Sequence, residues 1–158
     1  MSFYAEALLR ALADGGAQNE FDMWVGTSGL QNALETYCIR QASEFGLEQE
    51  PDRIRNGRFA IHKPAKVEVP VYMTCDPDEA LANKFSLTAT RGTQVAMSFD
   101  YNPGTPPRRY IDFLLEPDKY EVSATFDATT PFVGGKKKDL MVFPPETPLC
   151  LAIEWRTP

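Results

Sequence analysis

Residues 66–101 read KVEVPVYMTCDPDEALANKFSLTATRGTQVAMSFDY, and this pattern predicts a strand, a short helix and a second strand. Apolar residues occupy the odd positions from 67 to 73, which is the period of a half-buried strand. Pro70 within that run predicts a sheet edge or a bulge. Residues 76–79, Asp-Pro-Asp-Glu, then supply an N-cap, a first-position proline and two acids in the first turn of a helix. Residues 94–101 alternate again, and we expect them to pair with the first strand.

Two junctions between a strand and a helix are candidate ligand sites, because backbone N–H groups converge at such points. At the first junction, residues 24–28 read Trp-Val-Gly-Thr-Ser. They follow a short aromatic strand predicted at residues 21–25. They precede a helix whose apolar stripe runs from Leu30 to Phe45, with Gly46 as its stop. At the second junction, Tyr72 and Thr74 point to the same face of the predicted strand, where it meets the helix. We expect both junctions to face one cleft.

The composition indicates one ordinary globular domain. The chain has 158 residues, 43% of them hydrophobic and 24% charged, which is enough to bury a core without disulfides or metal. No apolar run approaches the length of a membrane span, and residues 2–13 form an amphipathic pattern unlike a signal peptide. We therefore expect a cytoplasmic protein, or one delivered into a host cytoplasm, with no membrane partner. The net charge of −6 opposes nonspecific binding to nucleic acid.

Cysteine and histidine usage argues against a disulfide framework and against a metal site. The three cysteines are widely spaced, and His62 is the only histidine. Any Cys-His or Ser-His mechanism would have to use His62, yet its spacing pairs it with no nucleophile. Cys75 precedes the predicted helix among acidic neighbours, and we interpret it as a buried, inert thiol.

The order of the remaining elements predicts the fold class. A first helix covers residues 2–13 and ends at the glycines 15–16, and a polar loop or lid covers residues 48–66. After a loop at residues 102–107, strands are predicted at 109–115, 120–126, 140–143 and 148–155. Helices thus come first, with one early strand, and a β-rich half follows. This order predicts a single α+β domain over residues 1–158, with N-terminal helices packed on a mostly antiparallel sheet.

Three segments resemble motifs of the ADP-ribosyltransferase superfamily, and together they span roughly residues 21–155. The segment WVGTS at 24–28 resembles the early strand that ends in Tyr-Arg-Gly or His-Gly-Thr, and VYMTCDPDEAL at 71–81 resembles the Ser-Thr-Ser strand with its short helix. KDLMVFPPET at 138–147 resembles the late acidic strand and its proline turn. The resemblance implies the split sheet of that superfamily and NAD, or a related nucleotide, as its ligand. It also implies cofactor-binding residues Trp24, Gly26, Thr27 and Tyr72, and catalytic residues Thr74 and Asp139.

The chain departs from the superfamily at the positions that carry the chemistry. Val25 stands where the family has Arg or His, and Met73-Thr74-Cys75 stands where it has Ser-Thr-Ser. The position of the family's catalytic glutamate aligns with Leu140. Because neighbouring residues on a strand point to opposite faces, Asp139 takes the role of that glutamate only if the alignment shifts by one residue. We therefore expect a nucleotide-binding fold without transfer activity. If the chain is an enzyme, the resemblance implies NAD-dependent ADP-ribosyl transfer or NAD glycohydrolysis, with Thr74 fixing the ribose and Asp139 stabilising positive charge.

A second hypothesis belongs to a different class of protein. The missing catalytic side chains, the acidic surface and the small size also suit a non-enzymatic interaction protein of a phage or mobile element, which inhibits or scaffolds a host protein. The two hypotheses differ in the expected partner, a nucleotide in one case and a host protein in the other.

Overall fold

The computed structural model describes residues 3–18, 22–47 and 59–156. The structure combines two helices with a mostly antiparallel set of strands, so the predicted α+β class is confirmed. Backbone contacts group the chain into two compact units. The first unit comprises Met1–Val69 together with Phe143–Glu146, and the second comprises Pro70–Val142 together with Thr147–Pro158. That all 158 residues form one domain stays a prediction.

The first unit contains the two predicted helices. Helix α1 spans Phe3–Arg10 and continues as a π-helical turn over Ala11–Gly15, and helix α2 spans Thr27–Glu44. Gly46 follows α2 with a φ of +68°, the left-handed conformation that suits a glycine helix stop. The helices share a small core that consists of Ala7, Ala11, Ala33, Leu34, Tyr37 and Cys38. Within the described part of the chain, no helix is both long and apolar enough to cross a membrane.

A three-stranded antiparallel sheet completes the first unit. Strand β1 is Ala17–Gln18, β2 is Trp24–Gly26 and β3 is Ala60–His62, with β2 in the middle. The predicted strand at residues 21–25 therefore appears as β2, although residue 21 lies outside the described ranges. The prediction of a loop at residues 48–66 is wrong for Ala60–His62, which form β3. Residues 48–58 of that predicted loop lie outside the described ranges.

The second unit is built on an eight-stranded sheet, in which β4 leads into a 3-10 helix at Asp78–Ala82. The strands are β4 Val69–Asp76, β5 Phe85–Arg91, β6 Gln94–Tyr101, β7 Ile111–Leu115, β8 Asp118–Phe126, β9 Phe132–Gly135, β10 Lys138–Val142 and β11 Thr147–Trp155. Their order is β6-β5-β8-β9-β11-β4-β7, with β10 also paired to β8. The pairs β5–β6, β5–β8, β8–β9, β8–β10 and β9–β11 are antiparallel and β4–β11 is parallel, which confirms a mostly antiparallel sheet.

Three details of the predicted strand–helix–strand unit are wrong. The short helix begins at Asp78 with Pro77 as its N-cap, so Asp76 is the last residue of β4 and not the cap. Residues 94–101 pair with β5, which the sequence pattern did not predict, and not with β4. Strand β4 also lies between β11 and β7, so Pro70 is not on a sheet edge. Pro70 lies outside the pairing with β11, whose register begins one residue later, where Val71 pairs with Thr147.

The two outermost strands of the large sheet approach each other, so the sheet nearly closes. Phe99 of β6 and Phe113 of β7 have ring centroids 6.0 Å apart. At one end of the sheet a row of aromatic rings continues from strand to strand, with successive centroids 4.9, 4.9, 5.4 and 4.5 Å apart. The members of this row are Tyr101, Phe85, Phe126, Phe132 and Trp155.

Candidate functional site

The junction of β2 and α2, in the first unit, is held by backbone geometry. Gly26 is the N-cap of α2, and a Cβ there would lie 3.2 Å from the carbonyl oxygen of Phe59. The N–H of Thr27 donates to that same carbonyl oxygen at 2.9 Å, and the Phe59 N–H donates to the Thr27 Oγ1 at 3.2 Å. Thr27 thus begins the helix and also ties it to the chain before β3. Trp24, two residues before Gly26, is 39% exposed.

Val25 and His62 have structural positions in the same small sheet. Val25 is fully buried and pairs with Ala17 on one side and His62 on the other. The Nε2 of His62 contacts the carbonyl oxygen of Leu12, and since a carbonyl only accepts, that nitrogen donates. The only histidine therefore supports the turn after α1.

A cavity of about 230 Å³ lies beside the first turns of α2. It is lined by Gly15, Ala17, Gln18, Gly29, Asn32, Phe143, Pro144 and Pro145, all of which belong to the first unit. Gly29 permits the close approach that shapes it, because a Cβ at this position would meet the Gly16 carbonyl oxygen at 2.0 Å. The cavity adjoins the β2–α2 junction through β1, whose Gln18 pairs with Trp24.

Two side-chain amides supply the polar groups of this cavity. The Oε1 of Gln18 accepts a hydrogen bond from the Ser28 hydroxyl at 2.9 Å, which orients the amide and leaves its NH₂ group to donate. The Asn32 side chain is exposed and makes no hydrogen bond to any other residue in the described ranges. The cavity thus offers amide donors and one amide acceptor between a glycine-lined wall and a proline-lined wall.

The proline-lined wall, Phe143–Glu146, is fastened to α2 at two points. The Tyr37 hydroxyl donates to the Pro145 carbonyl oxygen at 2.8 Å. The guanidinium of Arg40 makes two hydrogen bonds to the Glu146 carboxylate, one of them from Nε at 2.7 Å. The Glu146 side chain is only 10% exposed and that of Arg40 is 27% exposed, so this ion pair is partly shielded from solvent. The wall is therefore held against the helix by side-chain hydrogen bonds at two points.

Tyr72 and Thr74 lie in the second unit, on the same face of β4 and half-buried, as the alternation predicts. The edge of one ring in the Tyr72–Tyr110 pair meets the face of the other, with centroids 5.5 Å apart. The Thr74 hydroxyl donates a long hydrogen bond of 3.5 Å to the Leu149 carbonyl oxygen on β11. Both side chains contact their neighbours in the sheet, and nothing in these contacts is specific to a nucleotide.

Asp139 and Leu140 point to opposite faces of β10. Asp139 is exposed, and its carboxylate lies 2.8 Å from the Lys119 Nζ. Hydrogen bonding to Asp139 raises the pKa of Lys119. Leu140 is buried in the core of the second unit. The residue at the catalytic position of the resemblance is therefore apolar and buried, and the neighbouring acid forms a surface ion pair; a catalytic role of Asp139 stays a prediction.

The predicted site residues fall into two groups by unit, with Trp24, Gly26 and Thr27 in the first and Tyr72, Thr74 and Asp139 in the second. Sequence reasoning missed the two amides and the proline wall of the cavity. The consecutive prolines 144–145 were the one available signal, and they were interpreted only as a turn. No group of three or more His, Cys, Asp or Glu side chains in the described ranges is arranged to hold a metal ion.

Comparison with known proteins found no matching family model, no similar curated protein and no similar solved structure.

Proposed function

We propose that this chain has an ADP-ribosyltransferase-like split-sheet fold and binds NAD or a related nucleotide without transferring ADP-ribose. The observation that carries the proposal is the cavity beside the β2–α2 junction, which is where the first motif of the resemblance falls. The order of elements agrees with the resemblance: a short strand leads into a long helix, and β4 with its 3-10 helix follows later.

The size of the cavity limits which part of a nucleotide enters it. Sites for drug-sized ligands usually enclose about 300–1,000 Å³. At about 230 Å³, this cavity suits a single heterocyclic ring, with the sugar and phosphates outside it. In this proposal the amides of Gln18 and Asn32 hydrogen-bond to the polar edge of such a ring. The prolines at 144–145 pack against its flat face.

Catalysis is not expected, because the side chains that would perform it are absent from their positions. Val25 is buried in a strand and has no charge with which to hold a phosphate or ribose. Leu140 is buried and has no carboxylate, while the Asp139 carboxylate is paired with Lys119. An oxocarbenium-like transition state would therefore lack its stabilising anion.

Calorimetric titration with NAD tests this proposal. We expect saturable heat with a Kd of about 1 mM or lower, a modest affinity in keeping with a small open cavity. Asn32→Ala removes one amide and should weaken binding about tenfold. Gln31→Ala is the matched control, because it changes the neighbouring residue of the same helix, which does not line the cavity. The absence of heat at millimolar NAD, or equal affinity in both variants, would refute binding at this cavity.

An exposed apolar surface on the small sheet favours the interaction-protein hypothesis as a second candidate. Trp24 and Ile61 are 39% and 44% exposed, and the adjacent Phe59 is 67% exposed. Large exposed aromatic and aliphatic groups are typical of protein-binding surfaces. The test is co-purification with wild type and with Phe59→Ser. This candidate requires one stoichiometric partner that the variant loses, and it fails if both retain the same proteins.

A further inference from the structure

A second cleft, of about 410 Å³, opens at one end of the large sheet in the second unit. Its polar lining residues are Lys84, Ser86, Asp100, Asn102, Thr125 and Asp127. The aromatic residues between them on the strands, Phe85, Tyr101 and Phe126, are buried and point to the opposite face of the sheet. Their packing holds the strands that carry the polar groups, and the cleft shares no lining residue with the cavity in the first unit.

Strand register places the six polar side chains in two short rows. Ser86 of β5 pairs with Asp100 of β6 on one side and Thr125 of β8 on the other, which makes the first row. The last paired position on each strand comes next, and its aromatic side chain points to the opposite face of the sheet. One residue beyond it are Lys84, Asn102 and Asp127, which make the second row. Neighbouring strands lie about 4.8 Å apart, and two residues along a strand span about 7 Å.

Both carboxylates accept hydrogen bonds through one oxygen, and the other oxygen has no hydrogen-bond partner among the described residues. Oδ1 of Asp100 accepts from the Ser86 hydroxyl at 2.5 Å. Oδ1 of Asp127 accepts from the Thr129 N–H at 3.1 Å and from its hydroxyl at 3.2 Å. Each aspartate thus keeps free acceptor capacity in a fixed direction.

The donors in the cleft are also free. Within the described ranges Lys84 forms no ion pair, although two carboxylates line the same cleft, and Asn102 makes no side-chain hydrogen bond. A purely cationic ligand would meet the Lys84 ammonium in the centre of its row. A purely anionic ligand would meet carboxylates at two corners. The alternation of acceptors and donors matches a neutral ligand whose groups both donate and accept.

We propose that this cleft binds a polyhydroxylated ligand, a sugar with adjacent hydroxyl groups. Hydroxyls donate to the Asp100 and Asp127 oxygens and accept from Lys84 and Asn102. Bonds to charged groups are the stronger kind, so the two aspartates and Lys84 contribute most of the affinity. Because the cleft is wide and open, we expect a Kd of about 1–10 mM for a disaccharide.

Amide-resolved NMR titration of the full chain tests the proposal. The probes are maltose, cellobiose and N,N′-diacetylchitobiose as sugars, glycylglycine as a zwitterion, spermidine as a cation and inorganic phosphate as an anion. At least one sugar should shift the amide signals of Ser86, Asp100 and Asn102. The amide of Gly29, which lines the other cavity, should stay unchanged.

Substitution of two exposed residues of the cleft tests whether the sugar binds there. Asp100→Asn and Lys84→Met should each weaken sugar binding about tenfold, whereas Asp112→Asn should have no effect. Asp112 is a matched control, because it is an exposed aspartate of β7 that pairs with Arg108 at 3.8 Å outside the cleft. The proposal is overturned if no sugar shifts these signals, if only a charged or zwitterionic probe does, or if both cleft variants bind sugar as wild type does.

Discussion

The three cysteines differ in burial, and this difference sets their reactivity. Cys38 and Cys75 are buried and Cys150 is exposed. Burial, with smaller contributions from Cys150 and Asp78, raises the pKa of the Cys75 thiol from 9.0 to about 12. Because only the thiolate reacts, Cys75 stays inert at pH 9 in the native protein. The interpretation of Cys75 as a buried thiol is confirmed.

We predict that iodoacetamide at pH 9 labels Cys150 alone in the native protein and all three cysteines in denaturant. Mass spectrometry of the labelled peptides measures this directly. Cys150→Ala is the control, and its native form should take up no label. Rapid native labelling of Cys75 would show that the thiol is accessible and contradict the packing of β4.

Asp139 and Leu140 are adjacent residues with opposite surroundings, so they form a matched pair for mutation. Asp139→Asn removes one member of an exposed ion pair and should lower the free energy of unfolding by no more than about 1 kcal/mol. Leu140→Asn places an amide in the core and should lower it by about 3 kcal/mol. Urea denaturation measures both values. Equal costs, or a larger cost at Asp139, would mean that the register of β10 is shifted by one residue.

The attachment of Phe143–Glu146 to α2 should contribute both stability and the shape of the cavity. Glu146→Gln removes a carboxylate that accepts two hydrogen bonds from the partly exposed Arg40 guanidinium, and it should lower the free energy of unfolding by about 2 kcal/mol. Glu68→Gln is the control, because Glu68 pairs with Lys66 at the surface, where such a change costs less than about 1 kcal/mol. Thermal unfolding of the three proteins measures the difference. A Glu146→Gln protein as stable as the control would contradict a stabilising role of this attachment.

Gly29 should tolerate no side chain, because of its contact with the turn before β1. In Gly29→Ala the new Cβ would lie 2.0 Å from the Gly16 carbonyl oxygen and 2.7 Å from the Gln18 Cγ, so α2 or β1 must move. We expect a loss of about 2 kcal/mol or more in unfolding free energy. Gly104→Ala is the control, since its nearest neighbour would be 3.6 Å away. Equal stability of the two variants, measured by urea denaturation, would show that the approach is looser.

The elements that sequence predicted well are those whose pattern is local. Both helices follow from apolar spacing and glycine stops, and β4 follows from alternation and the acidic helix start at residues 76–79. Strand β5 was not predicted, although its buried and more exposed residues alternate from Phe85 to Ala89. Strands β1 and β3 have two and three residues, too few to show any period. A strand this short is defined by its partner and not by its own sequence.

The arrangement of these elements depends on pairing between distant parts of the chain. The parallel pair β4–β11 joins Val71 to Thr147, and no local pattern encodes such a partner. The same holds for the cavity, because the residues that join its proline wall to α2 are 106 and 108 positions apart in the sequence. The amides of Gln18 and Asn32 could not be predicted for a different reason. A single glutamine or asparagine forms no pattern in the sequence, and only the fold places it beside a cavity. The sequence therefore predicted the β2–α2 junction but not the amides and the proline wall of the cavity beside it.

The central claim, binding without chemistry, is tested most directly by proton NMR of NAD mixed with the whole chain. One sample reports both events, because bound NAD shows broadened or shifted ring signals and cleaved NAD releases free nicotinamide. We predict that the shift or broadening of the NAD ring signals grows with the concentration of the protein. We also predict that no free nicotinamide accumulates over about a day. Within that time even a slow enzyme, with a kcat far below the usual 1–10³ s⁻¹, would be detected. Unchanged ring signals, or a steady release of nicotinamide, would contradict the account.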